Sequence, residues 1–309
     1  MDFPRQKHTA VALGFFDGLH LGHRAVVDGA VRAEGLLPCV CTMTFDQDAP
    51  ARKRAPLLCT PSDKQRRCAA LGVALYIDLP FTLLSDLSPR AFVRQVLSER
   101  LDAQLVCCGF NYTFGKGGRA RAEDLAALCA EYGIACRIVP PVRLDGQPVS
   151  STSIRTLLQE GRPEQAARLL GAPFSFDFPV IAGRQLGRTL DFPTINQRLP
   201  EGFVRPRFGV YVSRTRLDGV WRPSVTNVGV KPTVGSDAVL AETHILGCDR
   251  DLYGRRIEVG LLEFVRPERK FASVAELKQQ IAKDVARAGR TEPRDAADAR
   301  NAARRERDR

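Results

Sequence analysis

The sequence predicts an α/β protein of two domains: a parallel sheet covered by helices, then a small antiparallel β-barrel with a C-terminal helix. Its 309 residues suffice for two hydrophobic cores. In the first half, short apolar runs alternate with amphipathic helical stretches. From about residue 172 onward, the apolar runs follow one another with turn signals between them. We therefore predict domains at 1–171 and 172–288, and a disordered charged tail at 289–309.

The first half contains five strand-like runs, which read "TAVALGFF", "PCVCTMTF", "ALYIDL", "QLVCCGF" and "CRIVPPV". The stretches between them have the apolar spacing of helices, namely "GHRAVVDGAVRAEG", "PSDKQRRCAALG", "SPRAFVRQVLSERL" and "AEDLAALCAEYG". Strand–helix repetition builds a parallel sheet with helices on both faces. Ligands of such sheets bind beyond the carboxyl ends of the strands, and "GFFDGLHLGH" at 14–23 lies at such an end.

The second half begins after a short helical piece, "PEQAARLLG". From "FPVIAG" to "LLEFVRP" the runs are strand-like, and turn signals such as "LDG", "CDRD" and "LYG" join them. One amphipathic stretch, "SVAELKQQIAKDVARA", follows these strands. The pattern predicts a small antiparallel barrel that is followed by a helix.

Composition narrows the possible functions without choosing one. The nine cysteines are odd in number, lie mostly in apolar runs and form no C-x-x-C pair, so we interpret them as reduced core residues. No apolar run is long enough to span a bilayer, and the first residues lack the apolar stretch of a signal peptide, which favours a cytoplasmic location. The net charge of +11 suits an anionic ligand: nucleic acid, a membrane surface or phosphorylated small molecules.

The segment "GFFDGLHLGH" combines a glycine-rich turn with two histidines, His20 and His23. A turn between a strand and a helix lets backbone N–H groups approach a phosphate, and the helix N-terminus favours negative charge. Histidines three residues apart can both donate hydrogen bonds to one phosphoryl group. Two alternatives are ordinary loop histidines and a zinc site, although no third zinc ligand stands at a recognisable spacing.

Several further blocks have a physical interpretation of their own. "SSTSIR" looks like a helix start, with hydroxyls at Ser150, Ser151 and Thr152 and with Arg155 one turn on; a plain N-cap is the alternative. "FPTIN" places Thr194 and Asn196 on one side of an extended segment, which suits Mg²⁺ or equally a polar strand edge.

These blocks resemble the bacterial bifunctional riboflavin kinase and FAD synthetase family, whose first half carries G-x-F-D-G-x-H-x-G-H. The matches run in the family's order from about residue 9 to residue 288. They include "TFDQDAP", "CGFNYTFGKG", "VSSTSIRTLLQEG", "GRTLDFPTIN", "FGVYV", "TNVGVKPTVG", "AETHIL", "DLYGRRIEV" and "RPERKFASVAELKQQIAKD". The resemblance implies a Rossmann-like nucleotidyltransferase domain followed by a β-barrel riboflavin kinase domain.

The resemblance also implies two reactions and their residues. ATP would phosphorylate riboflavin to FMN in the barrel, with Mg²⁺ on Thr194 and Asn196 and with Glu242 as the general base. FMN would then attack a second ATP in the first domain, giving FAD and pyrophosphate, with His20, His23 and Arg155 stabilising the charge. The family's nucleotide and flavin contacts carry over to Gly14, Phe16, Asp17, Gly22, Asn111, Ser150, Ser151, Thr152 and Gly187.

The chain departs from the family pattern in three places. Phe15 replaces an asparagine or a small residue, "TFDQDAP" lacks a proline and a histidine and adds Asp48, and "LDFPTIN" has Asp191 for glycine and Ile195 for alanine. Three hypotheses follow: a bifunctional enzyme, an enzyme that keeps only adenylylation, and a flavin-sensing or nucleic-acid-binding regulator. The shared presence of all the motif residues favours the first. We expect small-molecule substrates, no membrane or nucleic-acid partner, and a monomer or weak homo-oligomer.

Overall fold

The computed structural model of the chain describes residues 6–45, 55–183, 191–233 and 236–290. It divides into two compact units, Met1–Ser151 and Thr152–Arg309. The predicted fold class is confirmed, because the first unit contains a parallel sheet and the second a closed antiparallel barrel followed by a helix.

The first unit is built on a five-stranded, all-parallel sheet with the order β3-β2-β1-β4-β7. These strands are β1 Thr9–Leu13, β2 Leu37–Thr44, β3 Leu75–Pro80, β4 Ala103–Gly109 and β7 Ala135–Val139. Two short hairpins accompany them, formed by β5 Thr113–Phe114 with β6 Ala120–Arg121, and by β8 Arg143–Leu144 with β9 Gln147–Pro148.

The helices of the first unit join these strands. They are α1 Leu21–Val31, α2 Pro61–Ala70, α3 Phe81–Ser85, α4 Pro89–Ala91, which continues as a π-helix over Phe92–Arg100, and α5 Ala122–Glu131. The central strand β1 is buried throughout, with Val11 and Leu13 in one hydrophobic cluster and Ala10 and Ala12 in another. Burial on both faces explains why β1 is a continuous apolar run.

The second unit is a six-stranded closed barrel with the strand order β10-β11-β14-β13-β12-β15, in which β15 pairs with β10. The strands are β10 Ser175–Ile181, β11 Thr194–Arg198, β12 Gly209–Leu217, β13 Val220–Thr233, β14 Ser236–Ile245 and β15 Arg256–Arg266. Helix α6, Ser151–Glu160, and helix α7, Pro163–Leu170, precede the barrel, and α8, Val274–Gly289, follows it.

The two faces of the barrel wall have different chemistry. The inner face carries a chain of buried hydroxyls: Ser213 Oγ lies 2.8 Å from both Ser224 Oγ and Thr226 Oγ1, and Thr226 Oγ1 lies 2.9 Å from Thr243 Oγ1. Thr215 Oγ1 extends the chain by donating to Ser224 Oγ at 2.9 Å. The outer face is apolar where α8 packs on β12 and β13. Buried hydroxyls are tolerated inside because each has a partner.

Helices α6 and α7 support the barrel, although the sequence predicts the domain boundary after residue 171. Helix α7 packs against β15, and its Ala166 and Leu170 are buried. The backbone N–H of Arg207 also donates to Leu158 O at 2.9 Å. The predicted boundary stays a prediction that can be tested with fragments.

We expect the fragment 152–309 to be more stable than the fragment 172–309 by about 2 kcal/mol or more, since the shorter one loses the burial of α7 side chains. Urea unfolding followed by the fluorescence of Trp221, the single tryptophan, measures this difference. Equal unfolding midpoints would show that α6 and α7 do not stabilise the barrel and would favour the boundary after residue 171.

Candidate functional site

The first candidate site is the turn between β1 and α1, at the carboxyl edge of the sheet. Three of its residues have positive φ: Phe16 (53°), Gly18 (83°) and Leu19 (44°). A Cβ at Gly14 would lie 2.9 Å from the Phe16 ring, so only glycine leaves room for that ring to be buried. This strained turn brings the chain back into α1 within a few residues.

His20 and His23 lie side by side at the N-terminus of α1, with ring centroids 3.6 Å apart and nearly parallel. His20 is the N-cap, and its Nδ1 accepts from the backbone N–H of His23 at 3.2 Å. An accepting Nδ1 leaves the proton of a neutral ring on Nε2, which is therefore a hydrogen-bond donor. The phosphate chemistry predicted for this turn needs such donors at a helix N-terminus.

Gly22 allows the two rings to stack, because a Cβ there would lie 3.1 Å from His20 Cε1. Phe16 supports the pair from the side, with its ring edge-on to His23 at a centroid distance of 5.5 Å. The glycines at 14 and 22 therefore have steric roles around the Phe16 and His20 rings.

Asp17 holds the turn against a neighbouring segment. Its buried Oδ1 accepts from the backbone N–H groups of Leu58 at 2.8 Å and Cys59 at 3.3 Å. Its backbone carbonyl accepts from Ser151 Oγ at 2.9 Å. The predicted nucleotide contact of Asp17 stays a prediction; its visible hydrogen bonds are structural.

Sequence reasoning missed Lys64, a buried cation on α2. Its Nζ donates to Phe15 O at 2.8 Å and to Thr42 Oγ1 at 3.3 Å, and it lies 4.4 Å from the centroid of the Phe15 ring. Burial lowers the pKa of the Lys64 ammonium, an effect that the Asp78 and Asp17 carboxylates oppose. The available signal was its position four residues before buried Cys68, on the apolar face of α2.

The remaining predicted contacts of this half lie at several places. Asn111 is exposed in the turn after β4, Ser150 precedes α6, and Ser151 is its first residue. Thr152 and Arg155 follow on α6 and fall in the second unit. Gly187 lies outside the described residues, as do residues 46–50 of the "TFDQDAP" segment.

The second candidate site is a row of polar side chains on the outer face of the barrel. Thr194 pairs with His244, and Asn196 pairs with Glu242, in the register of β11 and β14. Directly opposed residues have Cβ atoms about 4.5–5.5 Å apart, so these side chains are neighbours. A Cβ at Gly183 would lie 2.7 Å from Asn196 Cγ, which shows how closely the backbone covers that amide.

A pocket opens beside this row, at the end of the barrel where β14 ends. Thr194, Ile195 and Thr243 contribute to its wall, and the loop of residues 248–253 forms the opposite side. The predicted magnesium residue Thr194 is thus exposed at the edge of a concave surface.

Asp191 is ion-paired beside this pocket. Its φ is 65°, a conformation that favours glycine and that aspartate tolerates. Lys278 Nζ on α8 lies 2.5 Å from Asp191 Oδ2. His244 Nδ1 also donates to Pro193 O at 2.9 Å, so the segment that enters β11 is held at two points.

Comparisons with known proteins cover both units. The riboflavin kinase family model matches residues 170–291, and the FAD synthetase model matches residues 2–153. The bifunctional riboflavin kinase/FMN adenylyltransferase of Listeria monocytogenes is 37% identical over 285 residues, 90% of each chain. Those of Bacillus subtilis and Escherichia coli are 33% and 35% identical over 90% of this chain and 91% of theirs.

A solved structure described as a macrolide-efflux protein from Streptococcus pneumoniae is 28% identical, with a TM-score of 0.82 over 94% of this chain and 97% of that one. That description concerns the other protein. Among the described residues here, no helix has the length and apolar character needed to cross a membrane.

The buried Lys64 gives a prediction for stability against pH. Because its pKa is lowered in the folded chain, the unfolded chain binds more protons between that lowered value and 10.5, so this term makes the unfolding free energy rise with pH. The stability of the wild type relative to Lys64→Met should therefore increase from pH 7 to pH 9, by at most about 1.4 kcal/mol per pH unit.

Urea unfolding by far-UV circular dichroism, with Trp221 fluorescence separating the second unit, measures the difference. Lys64→Arg is the matched control, because its guanidinium does not titrate in this range and should behave like Lys64→Met. Parallel curves for the wild type and both variants would contradict a lowered pKa at Lys64.

Proposed function

The chain belongs to the bifunctional riboflavin kinase/FMN adenylyltransferase family, and on that premise we propose that its second unit phosphorylates riboflavin and its first unit adenylylates the FMN product. One observation carries the proposal: both family models match this single chain, in the order of the two units. The relatives match over nine-tenths of their own length, so neither activity rests on a partial alignment.

In the adenylylation step, a phosphate oxygen of FMN attacks the α-phosphorus of ATP. A new P–O bond forms, the bond to the pyrophosphate oxygen breaks, and pyrophosphate leaves with that electron pair. His20 donates from Nε2 to the phosphoryl oxygens as negative charge builds on them, and His23 stacks beside it. The N-terminus of α1 adds its partial positive charge at the same place.

Arg155 binds the departing pyrophosphate in this proposal. Ser150, Ser151 and Thr152, at the start of α6, bind the triphosphate through hydroxyls and backbone N–H groups. Gly14, Phe16, Asp17, Gly22 and Asn111 complete the nucleotide and flavin contacts of the first reaction, and Gly187 contacts ATP in the second.

In the kinase step, Glu242 accepts the proton of the ribityl 5′-hydroxyl while that oxygen attacks the γ-phosphorus of ATP. The bond between the γ-phosphorus and the bridging oxygen breaks, and ADP leaves. Thr194 and Asn196 hold Mg²⁺, which neutralises phosphate charge when bound. The side chains fit this ion, because a hydroxyl and an amide supply the neutral oxygens that Mg²⁺ accepts alongside phosphates and water.

We also propose a cytoplasmic enzyme that acts as a monomer or weak homo-oligomer. The nine cysteines support the location, since all are free and seven are buried, as in proteins of a reducing compartment. The substrates are ATP, riboflavin and FMN, whose phosphates match the net charge of +11 without a nucleic-acid partner.

The two sites should be separable by mutation. Replacing both His20 and His23 by alanine should lower FMN adenylylation by about 10²-fold or more, because two phosphate donors are lost. Glu242→Gln should abolish most riboflavin phosphorylation by removing the base. Each variant serves as the folding control of the other, because the activity of its unaltered site should persist. Chromatographic separation of riboflavin, FMN and FAD measures both steps, and a double-histidine variant that still makes FAD would disprove the proposed role.

The ion pair at Asp191 predicts a small effect of that departure from the family. Lys278 offsets the repulsion between the Asp191 carboxylate and ATP, so Asp191→Gly should change the KM for ATP less than about twofold. Lys278→Met leaves the carboxylate uncompensated and should raise that KM about three- to sixfold at low salt, since unscreened repulsion at ~4 Å costs roughly 1 kcal/mol.

The double variant Asp191→Gly, Lys278→Met should return to the wild-type KM. Riboflavin phosphorylation across ATP concentrations at two salt concentrations measures all three. A KM that falls clearly in Asp191→Gly alone would mean that the carboxylate repels ATP despite Lys278.

A further inference from the structure

Two sequence blocks, "TNVGVKPTVG" and "RPERK", have no role in the two reactions as derived so far. The fold brings them together on the outer face of the barrel. Asn227 Nδ2, on β13, donates to Glu268 Oε1, just beyond β15, at 2.9 Å. Gly229 makes room for this contact, because a Cβ there would lie 2.6 Å from Glu268 Cδ. The Glu268 carboxylate therefore lies directly against the backbone of β13.

The strand register extends the contact to the kinase site. Asn227 lies opposite Glu242 in the pairing of β13 with β14, and Asn196 lies opposite Glu242 on the other side. Glu242 is thus flanked by two amide residues at the spacing of cross-strand neighbours. Inner-face residues such as Thr226 and Thr243 alternate with this row and are fully buried.

The amide of Asn227 is only half used. Its Nδ2 has Glu268, but its Oδ1 is buried and has no hydrogen-bond partner among the described residues. A buried acceptor without a partner is unfavourable, and such groups are rare unless another state of the molecule supplies a donor. The hydrogen bond to Glu268 also fixes which way the amide is turned, because a flipped amide would set two acceptor oxygens against each other.

We propose that Asn227 is a positioning residue for Glu242, and that Glu268 orients it. This inference rests on the proposed role of Glu242 as the base. When Glu242 takes the 5′-hydroxyl proton, its carboxylate becomes a carboxyl O–H, the substrate oxygen bonds to the γ-phosphorus and ADP leaves. The carboxyl O–H then donates to Asn227 Oδ1, which stabilises the protonated form of Glu242.

The register places two other titratable groups on this face: His244, two residues along β14, and Glu268 itself. His244 Nδ1 donates to Pro193 O, and Asn196 on β11 is uncharged. The predicted pH effect belongs to Asn227 because this amide lies between Glu242 and Glu268.

The experiment measures riboflavin phosphorylation by the full chain from pH 5 to pH 9. A hydrogen bond to the protonated carboxyl favours the protonated state. Its loss in Asn227→Ala should therefore move the acid-side fall in kcat to lower pH by about half a unit or more and lower kcat about tenfold, with the KM for ATP within twofold. A merely structural role would not move the pH profile.

Glu268→Ala should shift the profile in the same direction by less, because the amide remains but loses its fixed orientation. Glu268 is exposed, so this variant keeps the test valid if Asn227→Ala does not fold. Glu263→Ala is the matched control: it removes another β15 carboxylate, one paired with Arg287, and should leave the profile unchanged. FAD formation from supplied FMN reports the intact first unit.

Two results would overturn the inference, and they can be distinguished. If Glu242→Gln is inactive but Asn227→Ala and Glu268→Ala keep the wild-type pH profile, the positioning role of Asn227 is wrong while the base remains. If Glu242→Gln phosphorylates riboflavin normally, the proposed base is wrong and the positioning role falls with it.

Discussion

Hydrogen bonding between neighbouring strands is the constraint on which both candidate sites depend. In the first unit, parallel pairing of β1 with β2 and β4 aligns the carboxyl ends of the strands, so the turn after Leu13 opens at a shared edge. In the second unit, antiparallel pairing sets Asn196, Glu242 and Asn227 in one row. Because side chains alternate along a strand, a register change of one residue would remove each row from its face.

The sequence predicts the fold class and the position of the histidine turn well, because both depend on local signals. The apolar runs have the length of strands, and the glycines of 14–22 have local steric causes that the structure displays around Phe16 and His20. The sequence does not predict which distant residues meet. Lys64 is 49 residues from Phe15, and Asn227 is 41 residues from Glu268. Such pairs depend on strand order and register, which no local pattern contains.

The departures from the family pattern are accompanied by local cationic partners. The Phe15 ring faces the Lys64 ammonium, and the Phe15 carbonyl accepts from the same group. Asp191 is paired with Lys278 on α8, in a backbone conformation that aspartate tolerates. An aromatic face and a carboxylate both attract a cation, so each unusual residue has a partner of suitable charge. Judging either departure by its own residue alone would overstate its effect.

The hydroxyl chain inside the barrel has a consequence for which alternative structures the chain avoids. Sliding β13 by one residue against β14 would turn Thr226 outward and bring Val225 to face the buried hydroxyl of Thr243. Each hydroxyl that lost its partner while buried would cost about 1–3 kcal/mol, whereas an all-apolar interior would accept the slipped pairing at little cost. Ser213, Ser224, Thr226 and Thr243 therefore act as a key that fits one alignment of the strands, and the barrel gains uniqueness of structure from residues that are poor at adding to its stability.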